Sequence, residues 1–430
     1  MTKFDIHHYG QLIEDTSKSI AESERLSQGN RKAIQQFKDF CFAEGLSLAR
    51  ILHYLYILHS LALRLKKNFA DADRKDIENL IKDFRERGYL KKNPDGTKAR
   101  KKYSEWAIHD RLVTLKKFYR WLRKAEDYPQ EVRWIKTSVK NGNHKLPEEL
   151  LNENDVEKMI NAADHPRDKA FIATIYESGC RIGEILSLQL KNVSFDEKTG
   201  CKIIVDGKTG MRRVWLFTSA PYLAKWINIH PDKKPESYLW VSIGSRSKNK
   251  PMDYNAARSL LRRIMPKAGI NKKFNPHLFR HSRATYLADK LTEAQLKEIF
   301  GWKQSSTMPG IYVHMSGRNT ENALKRLYGI GEEEKEEESK LAPKKCIRCG
   351  HVNPSTFRQC DNCGMALDLK SAIETAEQLE KRGKELSDLK HKIVKMEGKM
   401  DRLIMIDETL SDVFAKKKGL RTEIAKETAK

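Results

Sequence analysis

The sequence predicts a multidomain chain: an all-helical domain, a mixed α+β domain, a small module stapled by cysteines and a long C-terminal helix. Three observations predict it. At 430 residues the chain is longer than one ordinary core serves. Apolar residues recur at helical spacing along most of it, broken by a stretch whose glycines suit a β-hairpin. Four of the seven cysteines fall in two close pairs near the C-terminus.

Residues 1–26 are polar and read as a flexible N-terminus. Residues 27–135 read as a helical domain of four helices. The first carries Ile34, Phe37, Phe40 and Cys41; the second, from near Ser47, carries Ile51, Leu55, Leu58, Leu61 and Leu65; the third runs from about Asp73 to Arg87. Lys91 to Lys102, rich in Lys, Asn, Asp and Gly, reads as a loop, after which Ser104 can cap the fourth helix. That helix sets Lys116, Lys117, Arg120 and Arg123 among aromatics, the mixture of a helix that touches phosphates while packing on its neighbours. An amphipathic helix with a solvated basic side gives the same pattern.

The polar stretch 136–147 is a linker, and residues 148–330 form the mixed α+β domain. Its helices are expected at about Asn154 to Ala163, Arg167 to Ser178, just after Arg181, and then Asn255 to Ala268, Arg280 to Lys290, Glu293 to Phe300 and Asn319 to Tyr328. Two strands, Lys202 to Val205 and Arg213 to Phe217, flank a connection with two glycines, as in a hairpin. Residues 331–342 hold a block of glutamates and form an acidic linker. Beyond lie the cysteine module, 343–368, and a helical, basic tail, 369–430.

Lys and Arg outnumber Asp and Glu by 82 to 58, so the formal charge is +24 and a polyanionic partner is implied. No apolar run approaches a spanning helix, and the first residues lack the apolar stretch of a signal peptide, which favours nucleic acid over a membrane surface. The expected setting is the cytoplasm, in association with the nucleoid, where thiols stay reduced and paired cysteines point to metal.

Three separated segments carry the chemistry: Ser178-Gly179-Cys180-Arg181-Ile182-Gly183-Glu184, His277-Leu278-Phe279-Arg280-His281, and Gly301-Trp302 followed by Ile311-Tyr312-Val313-His314. With Lys208 in the hairpin, they resemble in order and spacing the signature of the tyrosine recombinases, the phage-type integrase family. The resemblance implies a core-binding, SAM-like helical bundle followed by the catalytic domain, and a 3′-phosphotyrosyl intermediate at Tyr312. It makes Arg181 and Arg280 the phosphate-binding pair, His277 the base or hydrogen-bond donor, Lys208 the general acid and Tyr312 the nucleophile. Trp302 stands where histidine is commoner; an indole can donate one hydrogen bond and pack, but it cannot shuttle a proton. His281 is a possible hydrogen-bonding support, and Glu184 reads as structural.

The chemistry explains the residue types. Attack on a phosphodiester builds negative charge on the non-bridging oxygens, and guanidinium groups bind it through paired donors. A phosphotyrosine conserves the bond, so rejoining needs neither ATP nor a catalytic metal.

Cys346-Ile347-Arg348-Cys349 and Cys360-Asp361-Asn362-Cys363 form two C-x-x-C pairs, each followed by a glycine, the pattern of a zinc ribbon with one structural zinc. Farther on, Leu379, Leu386, Leu389, Ile393, Met396, Met400, Leu403, Leu410 and Phe414 step by three and four, with Arg382 and Asp407 interrupting the seam. A coiled coil that pairs protomers fits, as does a helix folding back on its own chain. The reading is therefore a site-specific recombinase acting on double-stranded DNA as a homo-oligomer, a dimer or tetramer. A type IB topoisomerase-like relaxing enzyme and a non-catalytic architectural protein are the alternatives.

Overall fold

The structure, a computed structural model, describes residues 5–93, 95–138, 149–196, 200–244, 248–272, 274–316, 328 and 339–427. The chain divides into two compact units, Met1–Leu216 with Leu223–Glu334, and Phe217–Tyr222 with Lys335–Lys430.

The first unit opens with helices where the apolar spacing places them, and with one more. Residues 1–26 were expected to be flexible; instead α1 (Tyr9–Ala21) buries Ile13 and Ile20 in the helical core. The polar residues that made this stretch look loose are its solvent side. Ahead of α1, the Ile6 carbonyl accepts from the Tyr254 amide at 3.0 Å, and His8 lies 3.2 Å from Asp253, so the terminus is tied to the later part of the same unit. Next come α2 (Gln28–Ala43), capped by Ser27, α3 (Leu48–Leu65) and α4 (Arg74–Arg87), whose Asp73 and Asp76 form a reciprocal cap. The core is closed by α5 (Glu105–Leu122), capped by Ser104, and the short α6 (Gln130–Arg133). Phe37 meets Phe118 edge-on at 5.2 Å in its centre.

The expected loop from Lys91 to Lys102 is largely a hairpin, β1 (Tyr89–Lys92) against β2 (Lys98–Lys101). Neither strand buries a side chain, so no alternation of apolar and polar residues marks it. Gly88 is required at its root: a Cβ there would stand 2.0 Å from the Lys101 carbonyl oxygen, and its φ is +58°.

The second half of this unit begins with α7 (Glu153–Ala162) and α8 (Pro166–Ser178), in which every residue except Pro166 and Lys169 is buried. After α9 (Ile182–Leu186) comes an antiparallel sheet in the order β3 (Val193–Asp196), β4 (Gly200–Gly207), β5 (Gly210–Leu216). The expected hairpin is present and longer than the apolar runs suggested; β3, mostly exposed, gave no signal. Gly207 pairs with Gly210, which leaves Lys208 and Thr209 as the two-residue tip. The helices α10 (Ala220–Asn228), α11 (Tyr254–Lys267), α12 (His277–Ala288), α13 (Glu293–Phe300) and α14 (Met308–Ser316) complete the order. Of these, α10 was not foreseen, and the stretch between Trp302 and Tyr312, read as a flexible loop or helix start, carries the start of α14. The helix expected at Asn319 to Tyr328, except Tyr328 itself, residues 139–147 of the linker and most of the acidic linker 331–342 lie outside the described residues.

The second unit holds β6 (Lys344–Lys345) paired with β7 (Val352–Asn353), the four paired cysteines and one helix from Leu369 to Glu427. Asp368 caps that helix by accepting from the Ser371 amide at 2.8 Å. Within the same unit the Tyr222 hydroxyl lies 2.8 Å from the Thr356 hydroxyl. No described helix is long and apolar enough to cross a membrane.

Candidate active site

Two helix ends and one hairpin build the site. Helix α8 stops at Gly179, whose φ of +54° turns the chain left-handed; a Cβ there would stand 2.4 Å from the Phe300 ring. Arg181 follows as the residue capping α9. Helix α13 stops in the same way at Gly301, where a Cβ would stand 2.8 Å from Arg212. Each glycine thus ends a helix and admits a large neighbour into the space a side chain would fill.

Arg280 rises from α12 between these two ends. Its Nη1 donates to the Gly179 carbonyl at 3.0 Å and its Nη2 to the Phe300 carbonyl at 2.7 Å. Its guanidinium also stands 5.1 and 5.4 Å from the ring centres of Phe300 and Trp302. Burial, reinforced by the nearby charge of Arg181, pulls it down to about 10, so it remains a cation at neutral pH. The charge of Arg181 thus reaches Arg280.

Arg181 is held by Glu184, whose carboxylate accepts from its backbone amide at 3.0 Å and from its Nη1 at 2.9 Å. Arg212, from β5, donates to the same carboxylate at 2.7 and 3.2 Å, to the Ile299 carbonyl at 3.0 Å and to the Cys180 sulfur at 3.3 Å. Burial alone would push Glu184 up; the hydrogen bonds and charge of Arg212, joined by those of Arg181, outweigh it and hold the carboxyl below its ordinary value.

Lys208 is exposed at the hairpin tip, but its neighbours are fixed to the cluster. The Thr209 hydroxyl donates to the Gly301 carbonyl at 3.2 Å, and Gly207 is so close to Glu184 that a Cβ would come within 2.5 Å of its Oε1. His277 is the first, exposed residue of α12, its amide donating to the Asn275 side chain at 2.9 Å.

Tyr312 is 2% exposed. Its ring lies nearly parallel to Trp302, 11° and 5.4 Å apart, and Trp302 stacks in turn on Phe300 at 4.9 Å. The phenol oxygen is 2.7 Å from His281 Nδ1, one helical turn from His277. Burial raises the phenol above its usual value against the pull of Arg280, so it is protonated at neutral pH.

Arg181, Arg280, Trp302 and Tyr312 are therefore linked by direct contacts or mutual charge, with Lys208 on a tip pinned beside them. Arg212 is the residue that sequence reasoning missed. Its partners lie 28 to 87 residues away, which no local pattern reveals.

The basic residues of α5 are mostly engaged inside their own domain. Lys117 pairs with Glu44 at 2.6 Å, Arg123 with Glu131 at 2.8 Å, and Lys116 donates to the Ile135 carbonyl at 3.2 Å. Arg120 is exposed, 5.7 Å from the Tyr128 ring centre.

In the second unit, Cys346 and Cys363 have sulfurs 3.6 Å apart, as do Cys349 and Cys360, and all four lie within 4.8 Å of one another. These separations exceed a disulfide bond and match the edge of about 3.8 Å that a tetrahedral site with zinc–sulfur bonds of about 2.3 Å requires. Gly350 and Gly364 take φ of +74° and +72° and close the turns, their amides donating to the carbonyls of Cys346 and Cys360. Asn353 donates to the Cys360 sulfur at 3.5 Å and accepts from the Asp361 amide at 2.9 Å, fixing the position of that thiol from outside the cluster.

Residues 149–318, which hold the whole arginine and tyrosine cluster, match the model of the phage integrase family, so the site belongs to an integrase-type catalytic domain. The chain is also similar to tyrosine recombinases beyond this segment. It is 24% identical over 303 residues to the tyrosine recombinase XerA of Pyrococcus horikoshii, an alignment covering 69% of this chain and 94% of the relative. To transposase A from transposon Tn554 of Staphylococcus aureus it is 26% identical over 208 residues, 45% of this chain and 56% of that protein. Among solved structures, the XerH site-specific recombinase bound to palindromic difH substrate matches with a TM-score of 0.51 at 18% identity, over 75% of this chain and 96% of that one. A lambda integrase dimer bound to a COC′ core site gives 0.51 at 14%, over 67% and 78%. These likenesses establish the fold.

Replacing Arg212 by alanine is expected to leave Glu184 as a buried carboxylate short of a partner, at a cost of about 3–5 kcal/mol. In the wild type, the contribution of Glu184 is full above its unfolded value of 4.5 and is lost as pH falls through the depressed folded value. Urea unfolding of both proteins at neutral pH and at about pH 4 checks this: the gap between them should narrow in acid, and an equal gap at both would refute the role given to Glu184.

Proposed function

We propose that this chain is a site-specific recombinase that cuts and rejoins double-stranded DNA through a 3′-phosphotyrosyl bond at Tyr312. The observation that carries this is a cluster of guanidiniums, Arg181 and Arg212 on the Glu184 carboxylate and Arg280 on the Gly179 and Phe300 carbonyls, beside a stacked, hydrogen-bonded tyrosine. Three guanidiniums share one carboxylate, and burial together with the charge of Arg181 pulls Arg280 down, so the cluster gains by receiving an anion.

The roles follow from the groups. Arg181 and Arg280 bind the non-bridging oxygens of one phosphodiester and stabilise the charge that grows on them. The Tyr312 oxygen attacks phosphorus, its proton passing to His277, while the bond to the 5′ oxygen breaks and Lys208 supplies the proton that oxygen needs. Reversal of these transfers by a new 5′ hydroxyl rejoins the strand, so no external energy source enters. Trp302 acts by packing: it is the layer between Phe300 and Tyr312 that sets the tyrosine's plane. In the arrangement described, the phenol is latched on His281, and α14 must shift when DNA fills the arginine pair.

The fold relatives are described as bound to DNA, one as a dimer and another as a tetramer, which supports a homo-oligomer on duplex DNA. Among the basic residues of α5, Lys116, Lys117, Arg120 and Arg123, the exposed Arg120 is best placed to reach a phosphate without breaking an internal pair. Cys346, Cys349, Cys360 and Cys363 would hold one structural zinc in a ribbon, and the heptad seam of the C-terminal helix would pair protomers as a coiled coil.

On a nicked duplex carrying the target site, the wild-type chain should exchange strands between two duplexes and Tyr312→Phe should do neither cleavage nor exchange. Lys208→Ala should slow cleavage by about 10²–10⁴-fold and recover on a substrate whose 5′ leaving atom is sulfur, which departs without a proton. A Lys208→Ala defect that persists with sulfur would remove the general-acid role. Elemental analysis should find one zinc per chain, and Cys360→Ser should lower that stoichiometry; an undiminished zinc content would place the metal elsewhere.

A further inference from the structure

The C-terminal helix runs without a break from Leu369 to Glu427, and its apolar seam residues from Leu379 to Leu410 are each 48% to 67% exposed. A stripe of that length in water needs a partner, and its two charged interruptions say which. Arg382 and Asp407 are both exposed seam positions of opposite sign. They stand the same distance from the midpoint of the seam, which falls between Val394 and Lys395.

The rest of the seam shares that symmetry. Counted inward from its ends, Leu379 corresponds to Leu410 and Leu386 to Leu403, and then Leu389 to Met400. Ile393 and Met396 flank the midpoint. From Leu379 to Leu410 the seam is thus self-complementary when read backwards: each apolar position meets an apolar one and the cation meets the anion, while Phe414, one layer beyond, meets Thr375.

We propose that a second copy of this chain docks along this seam in antiparallel orientation, with the two-fold axis between Val394 and Lys395, so that Arg382 of each protomer pairs with Asp407 of the other. This rests on the coiled-coil reading above and adds to it the direction and register. A parallel pair would instead set Arg382 against its own copy and Asp407 against its own copy. Sliding the antiparallel pair by one heptad would put Arg382 against Met400 or Phe414, and Asp407 against Thr375 or Leu389.

Flanking charges pull the other way, and magnitudes decide. In the parallel form, Glu385 with Lys390 and Lys392 with Glu397 attract across the rim. In the antiparallel form, the attraction of Lys390 for Glu397 is cancelled by Lys392 facing Lys399. Each rim pair is worth roughly a factor of two in association, because both charges stay hydrated. A like-charged layer within the seam is desolvated and costs on the order of a hundredfold, and the parallel form has two such layers. The seam outweighs the rim.

One geometric consequence follows. Leu369 of one protomer would lie level with Leu420 of the other, so the two cysteine modules stand about 75 Å apart at a rise of about 1.5 Å per residue. The tail is then a rod joining protomers whose ribbons are far from each other.

The test uses the full-length chain off DNA. By sedimentation equilibrium, Arg382→Asp and Asp407→Arg should each weaken the dimer by at least about tenfold, and the double exchange should restore it. A benzoylphenylalanine at Leu389 should crosslink, on illumination, to residues around Met400 of the partner. A dimer that neither single exchange weakens, with adducts around Leu389 itself, overturns the antiparallel register and leaves the coiled coil standing. A monomer, or a dimer with no adduct from position 389, overturns the coiled coil and this inference with it.

Discussion

The carboxylate of Glu184 is the constraint on which the catalytic half depends. A site built to receive a phosphodiester must hold several cations close together before any phosphate arrives, and their repulsion opposes folding. Glu184, 5% exposed, answers this by engaging Arg181 with one set of contacts and Arg212 with another. It leaves Arg280 to be held by two main-chain carbonyls at helix ends. Neutral acceptors position that guanidinium without cancelling its charge, so the site keeps a net pull on an anion.

The same arrangement fixes the hairpin and Tyr312. Arg212 ties β5 to the end of α13, Thr209 ties the tip to Gly301, and the next residue, Trp302, starts the aromatic stack that ends at Tyr312. A change at the phosphate pocket can therefore reach the tyrosine through covalent neighbours and stacked rings over a short path. Burial of the phenol against His281 keeps Tyr312 protonated and shielded, which suits the proposed nucleophile at rest before the pocket is filled.

Much of this was legible in the sequence because the chemistry demands particular residues in short local frames. Arg181 sits where a helix begins after Gly179, and His277 and Arg280 share one turn of α12; such frames survive as motifs. Helix boundaries near Asp73 and Ser104 were legible for the same reason, since a cap acts within one turn. Arg212 was not, because its role exists only once Glu184, Ile299 and Cys180 have been brought together by folding. Helix α1 was missed because its few buried residues, Ile13 and Ile20, are diluted by polar ones. Strands β1 to β3 were missed because exposed edges carry no alternation for the eye to find. The hydroxyl partner of Tyr312 was half legible: His281 was marked as a possible support, yet only the packing of α14 on α12 sets it against the phenol.

The cysteine module and the long helix belong to a different order of argument, in which geometry within one unit implies a metal and a second protomer. The catalytic claim stands apart from them and reduces to one oxygen. The most direct measurement is to trap the chain on a nicked duplex, digest both components and locate the attached nucleotide by mass spectrometry. The account predicts a 3′-phosphonucleotide on Tyr312 and on no other residue. Attachment at Tyr286 or Tyr328, or no covalent species on a substrate that is cut, would contradict it.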